Sequence, residues 1–369
     1  MDNLTHTLFA LTLARTPLRR AGAGTTATLV IASNVPDIDV LSAVGGTAAY
    51  LRWHRGPTHG LLGIVGLGAL VGASVWILQR ASRRSADHQA AAPLHLLLAI
   101  GIIGALGHVL MDLPTSYGTR LLSPFAWSWF AADWVPIVDI YLLALLAAGL
   151  AFGSRSDEAR RRNAALVLAL MAANYGLRAA AHRQALLDVP RAFGPLLPPS
   201  CDPAVSDRLA IDRWPRSRAT TSVDQPGRRC LVQTVALPTF TSPFQWRVVA
   251  ELADAYEIGD VDLFDARFRV PPQQAEVLWR TTVRLPNAWT PAVWTAATTD
   301  VGRRFLGFAR LPAARSLVAP DGTTTVRWID VRFTRGARGL AEMAGPNDQF
   351  AATVRINPGG RAIEGRVGP

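Results

Sequence analysis

The amino-acid sequence predicts an α-helical membrane domain, with about four long spans and two short N-terminal helices, followed by a β-rich soluble domain. Four strongly apolar runs predict the membrane domain, because each is close to the ~20 residues that an α-helix needs to span a bilayer. They lie at residues 60–78, 93–113, 135–153 and 164–181. After about residue 188, prolines and then β-branched runs with a period of two predict strands.

We therefore expect a helical membrane domain at residues 1–188, a proline-rich linker at 189–200 and a β-rich domain at 201–369. Two apolar segments near the start, about residues 3–15 and 24–36, are too short to cross untilted, so we interpret them as short or re-entrant helices. The strand-like runs of the third part are residues 231–237, 275–285, 323–334 and 351–356. Its core is expected to contain Trp246, Trp279 and Trp289.

The composition limits the function classes. Half of the residues are hydrophobic, and the +11 net charge comes from arginine, because the chain contains no lysine. A lysine Schiff base and a P-loop are therefore excluded. The arginines are spread over both parts of the chain, 15 of them within residues 1–188 and 23 beyond, instead of forming one basic stripe, so we predict no nucleic-acid partner.

Three arginine clusters predict the orientation of the chain in its membrane. They lie at residues 15–20, 80–84 and 155–162. By the positive-inside rule these clusters face the cytoplasm, and alternation of the spans then makes the C-terminal domain extracytoplasmic. In that compartment Cys201 and Cys230 can form a disulfide, whose ~30-residue loop would stabilise the domain by about 3 to 4 kcal/mol in the chain-entropy model.

Histidine and aspartate recur in four short motifs at the outer ends of these segments. The motifs are Asn3-Leu4-Thr5-His6, Pro36-Asp37-Ile38-Asp39, His54-Arg55-Gly56-Pro57-Thr58-His59 and Gly107-His108-Val109-Leu110-Met111-Asp112. Imidazole and carboxylate are ligands of borderline divalent metals, and two such residues four apart share one helix face. The predicted metal ligands are His6, Asp37, Asp39, His54, His59, His108 and Asp112. His95, ~20 Å along a helix from His108, and His88, in an arginine-rich loop, are left out.

These residues also have plainer interpretations. Asp37 and Asp39 can cap a turn or a helix, and His59 can be an ordinary first-turn residue. A single intramembrane His or Asp can pair with another helix for packing. The collection of four histidines and several aspartates on one membrane face favours a metal site. For Asp133 and Asp139, an interfacial or supporting role is an equal alternative.

Together with Ser116-Tyr117-Gly118-Thr119-Arg120 and Asp133-Trp134, the four motifs resemble, in the same order, the YdjM-type family of bacterial inner-membrane proteins. That family is described as LexA-regulated, predicted metal-dependent hydrolases. The resemblance covers about the first 150 residues. It implies an integral membrane hydrolase, while the substrate and the role of the C-terminal domain stay open.

The ligand set predicts metal-dependent hydrolysis at the outer face of the membrane. One or two divalent ions, most simply Zn²⁺, would activate water, and Asp133 would accept a proton. Arg55 and Arg120 are predicted to lie on the outer side of the membrane, where the positive-inside rule makes arginine less common. We therefore expect them to bind an anionic group of a lipid phosphoester or another envelope ester. Membrane lipid and a lipid or small-molecule substrate are the expected partners. Alternatives are a proton or metal-ion transporter, whose site usually lies near the midplane, and a metal-stabilised anchor for the C-terminal domain.

Overall fold

The structure is a computed structural model that describes residues 1–82, 92–152, 156–193, 197–201, 211–215, 230–265, 283–334 and 350–368. Packing divides the chain into two compact units. The first consists of Met1–Val40, His54–Ala180 and Thr239–Pro243, and the second of Leu41–Trp53, Ala181–Pro238 and Phe244–Pro369. The predictions for His88, Trp279, residues 275–282 and the arginines at positions 83, 84 and 155 lie outside the described residues.

Helices form most of the first unit. The α-helices are α1 (Asn3–Leu13), α2 (Thr25–Ala32), α3 (Thr47–Trp53, in the second unit), α4 (Leu61–Ser82), α5 (Leu94–Asp112), α6 (Ile140–Ala151) and α7 (Asp157–Ala192), with 3₁₀ segments at Pro17–Ala21 and Val35–Gly45. Within the described residues, four stretches are long and apolar enough to cross a membrane: Thr25–Gly45, Leu61–Ala81, Leu94–Asp112 and Asp157–Val189. The predicted fold class, a helical membrane region followed by a β-rich region, is confirmed.

Two helix boundaries differ from the prediction. The run at residues 135–153 forms only the 12-residue α6, because Asp139 ends the preceding irregular segment and caps the helix. Its carboxylate accepts hydrogen bonds from the Tyr141 and Leu142 backbone N–H groups, at 3.0 and 3.3 Å. The segment at 24–36 is longer than expected: Pro36 cannot continue an α-helix, and the chain proceeds as a 3₁₀ segment to Gly45.

Three glycines on α5 let three other helices approach it closely. A methyl group at Gly101 would overlap the carbonyl oxygen of Gly68 in α4. At Gly104 it would lie 2.9 Å from Cβ of Ala32 in α2, and at Gly107 it would lie 2.7 Å from the Phe9 ring in α1. Small residues permit such close helix packing in membranes, so α5 becomes the element around which α1, α2 and α4 assemble.

The second unit contains two four-stranded antiparallel sheets that share an apolar core. The first sheet is β3 (Leu231–Pro238), β4 (Gln245–Leu252), β5 (Ala255–Asp262) and β6 (Val283–Pro286); the second is β7 (Pro312–Val318), β8 (Thr324–Asp330), β9 (Ala351–Ile356) and β10 (Ala362–Val367). Two short strands, β1 (Trp129–Ala131) and β2 (Asp212–Trp214), complete the described set. The runs at 231–237, 323–334 and 351–356 are confirmed as strand regions.

Two further predictions for this unit are confirmed. Trp246 is completely buried, in a cluster with Val248 and Ala185 of α7. Cys201 and Cys230 form a disulfide with a Cα–Cα distance of 5.0 Å. The helices at Pro291–Ala297 and Asp300–Phe308 were not predicted. Both are short and have threonine N-caps, Thr290 and Thr299.

Candidate metal centre

Four side chains of the types that ligate metals meet where helices of the first unit begin or end. Asp37 lies at the start of the 3₁₀ segment that follows α2, and His59 lies just before α4. His108 and Asp112 lie one turn apart at the end of α5. One ligand atom from each of these residues lies within 4.8 Å of the other three, which forms a His₂Asp₂ group within metal-binding distance.

The spacing within this group resembles a coordination shell. The Nε2 atoms of His59 and His108 are 3.2 Å apart. Both lie 3.5 Å from Asp112 Oδ2, and they lie 3.5 and 3.6 Å from Asp37 Oδ1. Tetrahedral ligands at 2.0–2.1 Å from a Zn²⁺ ion are about 3.3 Å from one another, so the observed separations suit ligands of one small cation.

The outer nitrogens of the two rings decide where their protons lie. His108 Nδ1 is 2.8 Å from the carbonyl oxygen of Ser33, and His59 Nδ1 is 3.2 Å from Asp39 Oδ2. Since both oxygens can only accept, the neutral rings carry their protons on Nδ1 and present Nε2 lone pairs. Two lone pairs then face each other and two carboxylate oxygens, an arrangement that needs a cation or a shared proton at its centre.

Asp39 forms a supporting layer behind His59. Its Oδ1 is 2.9 Å from His54 Nδ1, and its Oδ2 accepts hydrogen bonds from the Arg55 N–H group at 2.7 Å and the Thr58 hydroxyl at 2.9 Å. Burial lowers the pKa of His54, although its hydrogen bond to Asp39 raises it, so the ring is neutral at pH 7. These contacts place Asp39 and His54 beside the four-residue group; that they are direct ligands stays a prediction.

Asp112 presents its other oxygen to a second set of groups. The Arg55 guanidinium donates to Oδ1 at 3.2 Å, and the Met1 α-amino group contacts the same atom. His6 Nε2 lies 3.5 Å from Oδ1, and its ring stacks on His108 with a centroid distance of 3.9 Å. Among the described residues, neither ring nitrogen of His6 has a hydrogen-bond partner. His6 therefore lies next to the His₂Asp₂ group; that it is a metal ligand stays a prediction.

The three residues predicted to bind substrate or accept a proton are all buried. The Arg55 guanidinium also donates to Gly118 O at 3.2 Å and lies over the Tyr117 ring. Arg120 stacks on Trp129 at 4.1 Å; burial lowers its pKa to about 10, so it is cationic at neutral pH. Asp133 has a φ of 59°, in the left-handed region. The substrate-binding roles of Arg55 and Arg120 and the proton-accepting role of Asp133 stay predictions.

The contacts of Asp139 are those of a residue that stabilises the fold. Besides capping α6, its carboxylate is 2.8 Å from the Arg178 Nε atom of α7 and accepts a hydrogen bond from the Asn174 amide at 3.3 Å. Both Asp139 and Arg178 are completely buried. A buried carboxylate needs such a partner in an apolar environment, which accounts for this ionisable group at the start of an apolar helix.

Asp37 is the exposed member of the four-residue group. Its side chain is 15% exposed, whereas those of His59, His108 and Asp112 are 0% exposed. Apolar side chains next to site residues in the chain are exposed as well, and they include Leu4, Ile38, Leu61 and Leu110. The group therefore opens on the Asp37 side of a surface that is rich in exposed apolar residues.

Sequence reasoning missed two groups of the site. The Ser33 carbonyl oxygen orients His108, and no residue type signals a backbone acceptor in advance. Thr58 donates to Asp39 and lies 3.0 Å from His59 Nδ1. Its place inside the His54 to His59 motif was the available signal, since a hydroxyl next to a ligand is a frequent supporting partner.

Apolar helices of membrane-spanning length together with a buried His₂Asp₂ group define an integral membrane protein with a candidate metal site. Residues 1–185 match the family described as YdjM inner membrane protein, and the chain belongs to this family. It is also 30% identical over 126 residues to Uncharacterized protein YfhP of Bacillus subtilis (strain 168). That match covers 33% of this chain and 36% of YfhP, so the chain spans about a third of the length of this relative. No solved structure matches the chain.

Proposed function

We propose that this protein is a membrane-embedded, metal-dependent hydrolase that cleaves a lipid phosphoester or another envelope ester at the outer face of the inner membrane. The observation that carries the proposal is the convergence of two Nε2 lone pairs and two carboxylate oxygens within 4.8 Å of one another. Two nitrogen and two oxygen donors suit Zn²⁺. When bound, such an ion lowers the pKa of water and polarises a substrate oxygen.

The chain's own residues supply the rest of the mechanism. Asp39 and the Ser33 carbonyl hold the two imidazoles with Nε2 turned inward. Arg55 donates to Asp112 Oδ1, which favours the ionised carboxylate and leaves Oδ2 facing the histidines. In this proposal Asp133 accepts a proton during attack, and the cationic Arg120 attracts the anionic group of the substrate.

The surroundings of the group favour a lipid substrate. The opening at Asp37 is flanked in the chain by Ile38, whose side chain is 50% exposed, and Leu110, near His108, is 57% exposed. Exposed apolar residues of this kind are suited to lipid chains. A position at the helix ends also supports chemistry at the interface rather than transport, because transport sites usually lie near the midplane.

A turnover screen with purified, metal-loaded protein tests the proposal. The substrates are phospholipids with a labelled headgroup, in detergent micelles. We expect release of the headgroup, and an Asp112→Asn variant should lose at least about 100-fold in rate, because even supporting partners of a metal site contribute 10- to 100-fold. His95→Ala, which removes an exposed histidine from the same helix, is the matched control and should keep wild-type activity.

Two other results of these experiments would contradict a hydrolase. If metal-loaded protein hydrolyses no ester in the screen while proteoliposomes move protons or metal ions, the protein is a transporter. If it does neither and metal loss only unfolds it, the metal serves as a structural anchor.

A further inference from the structure

A second charged site lies at the other end of the helices, away from the metal centre. A cavity of about 210 Å³ is lined by residues from the α1 to Pro17–Ala21 region and from the first turns of α7. Its lining residues are Arg15, Thr16, Arg19, Arg20, Asp157, Arg160 and Arg161. Five arginines and one aspartate give this basic pocket a formal charge of +4.

The pocket contains more positive charge than its own groups neutralise. Asp157 Oδ1 lies 3.6 Å from both the Arg19 and the Arg160 Nη1 atoms, which is longer than a hydrogen bond. Within the described part of the chain, Arg20 and Arg161 have no ion-pair partner. Like charges gathered in one cavity repel one another, so an anion bound between them is stabilised.

The frame of the pocket is built from membrane helices. The Arg15 guanidinium donates to the carbonyl oxygens of Gly149 and Leu150, at 3.2 and 3.0 Å, and so ties the end of α6 to the end of α1. Beside it, Phe152 is 83% exposed, and Leu166 on α7 is 56% exposed. An anion held here thus has apolar surface next to it on the same helices, which a lipid's acyl chains can cover.

We propose that the basic pocket binds the phosphate of an anionic phospholipid, with its acyl chains along α6 and α7. A water molecule takes up about 30 Å³ in the liquid, so the cavity has room for a phosphate group and part of its glycerol. Basic pockets between membrane helices on the cytoplasmic side are a recurrent site for anionic headgroups. This inference is independent of the chemistry proposed for the metal centre.

Native mass spectrometry of the full-length protein released from detergent tests this. Wild-type protein is titrated with phosphatidylglycerol, with phosphatidylcholine of the same chain length, and with inorganic phosphate. We expect retention of intact phosphatidylglycerol. An Arg20→Gln/Arg161→Gln variant should bind it about 30-fold more weakly, since each basic residue near an anionic lipid contributes roughly a factor of five.

The matched control is Arg80→Gln/Arg162→Gln, which removes two exposed arginines from the same predicted side but outside the pocket. It should stay within about three-fold of wild type, because neither side chain lines the pocket and charges farther from the bound phosphate are screened. Equal losses of phosphatidylglycerol affinity in the two double variants would mean that the lipid is attracted to positive charge in general. That result would overturn the proposal of a specific site in the pocket. Tight binding of inorganic phosphate that displaces the lipid, or equal retention of phosphatidylcholine, would overturn the lipid assignment.

Discussion

At the scale of single residues, the site depends on which nitrogen each histidine presents. His59 and His108 use Nδ1 for a fixed partner, Asp39 in one case and the Ser33 carbonyl in the other, and this leaves Nε2 for the centre of the group. Both rings are completely buried. A buried imidazole that is oriented in this way is a good metal ligand, and it is not accessible to bulk water as a base.

His108→Ala is therefore expected to remove most of the bound divalent metal. The substitution deletes an inward-facing nitrogen from the four-residue group, and the remaining donors do not close a coordination shell. Elemental analysis of detergent-purified protein measures the metal content. His95→Ala, on the same helix but exposed, should leave the metal content unchanged. Equal metal content in both variants would remove the case for the site.

Asp39→Asn is expected to weaken metal binding by about 10- to 100-fold without abolishing it, because Asp39 orients His59 through Nδ1 and does not belong to the His₂Asp₂ group. Competition with a chelator measures the affinity. Asp37→Asn, which alters a member of that group, should have the larger effect. If Asp39→Asn loses metal as completely as His108→Ala, Asp39 is a direct ligand, as the sequence pattern predicts.

At the scale of elements, the glycines of α5 position the site. Gly101 faces α4, Gly104 faces α2 and Gly107 faces α1, at intervals of three residues. His59 lies just before α4, Asp37 lies in the 3₁₀ segment that follows α2, His6 lies near the start of α1, and α5 itself carries His108. The close approach of the helix backbones therefore determines how near the ligand atoms come to one another.

Gly101→Ala is expected to destabilise the membrane unit by about 1–3 kcal/mol, because the new methyl group overlaps the Gly68 carbonyl and forces α4 away from α5. Metal content should fall with it, since His59 and His108 move apart. Thermal unfolding in detergent and elemental analysis are the measurements. Gly66→Ala on α4 is the control, because its Cβ meets open space. Unchanged stability and metal content in Gly101→Ala would contradict this account of the packing.

At the scale of the whole molecule, the orientation of the chain in the membrane is a prediction from its charges and cysteines. The arginine clusters predict a cytoplasmic location for residues 15–20 and 155–162, and the disulfide between Cys201 and Cys230 suits an oxidising compartment. Both observations favour an extracytoplasmic C-terminal domain.

A reporter enzyme that is active only outside the cytoplasm is expected to be active when it is fused after residue 369. Cys201 and Cys230 should resist thiol labelling until a reductant is added. A fusion after Ser82, at the end of α4, should report the cytoplasm and serves as the control. A cytoplasmic signal at residue 369 together with reduced cysteines would reverse the orientation of the site and place the metal centre at the inner face.

The sequence by itself determined the class of protein and most of the residues that meet in the site. The length of an apolar run is a local property of the sequence, and a spanning helix must match the thickness of the bilayer. The spans predicted at 60–78 and 93–113 therefore correspond to α4 and α5. Arginine asymmetry predicted that the histidines and aspartates lie on one side of the membrane. That reasoning also left out His95, which the structure shows exposed on α5.

Only the tertiary structure shows which of the seven predicted ligands come within 4.8 Å of one another: Asp37, His59, His108 and Asp112. The carboxylates of Asp37 and Asp39 are two residues apart and chemically identical, yet one faces the histidine Nε2 atoms and the other supports His59 from behind. Asp139 likewise lies at the end of an apolar segment, but its carboxylate pairs with Arg178. These differences depend on which segments pack together in the folded chain, and such long-range packing has no local signature in the sequence.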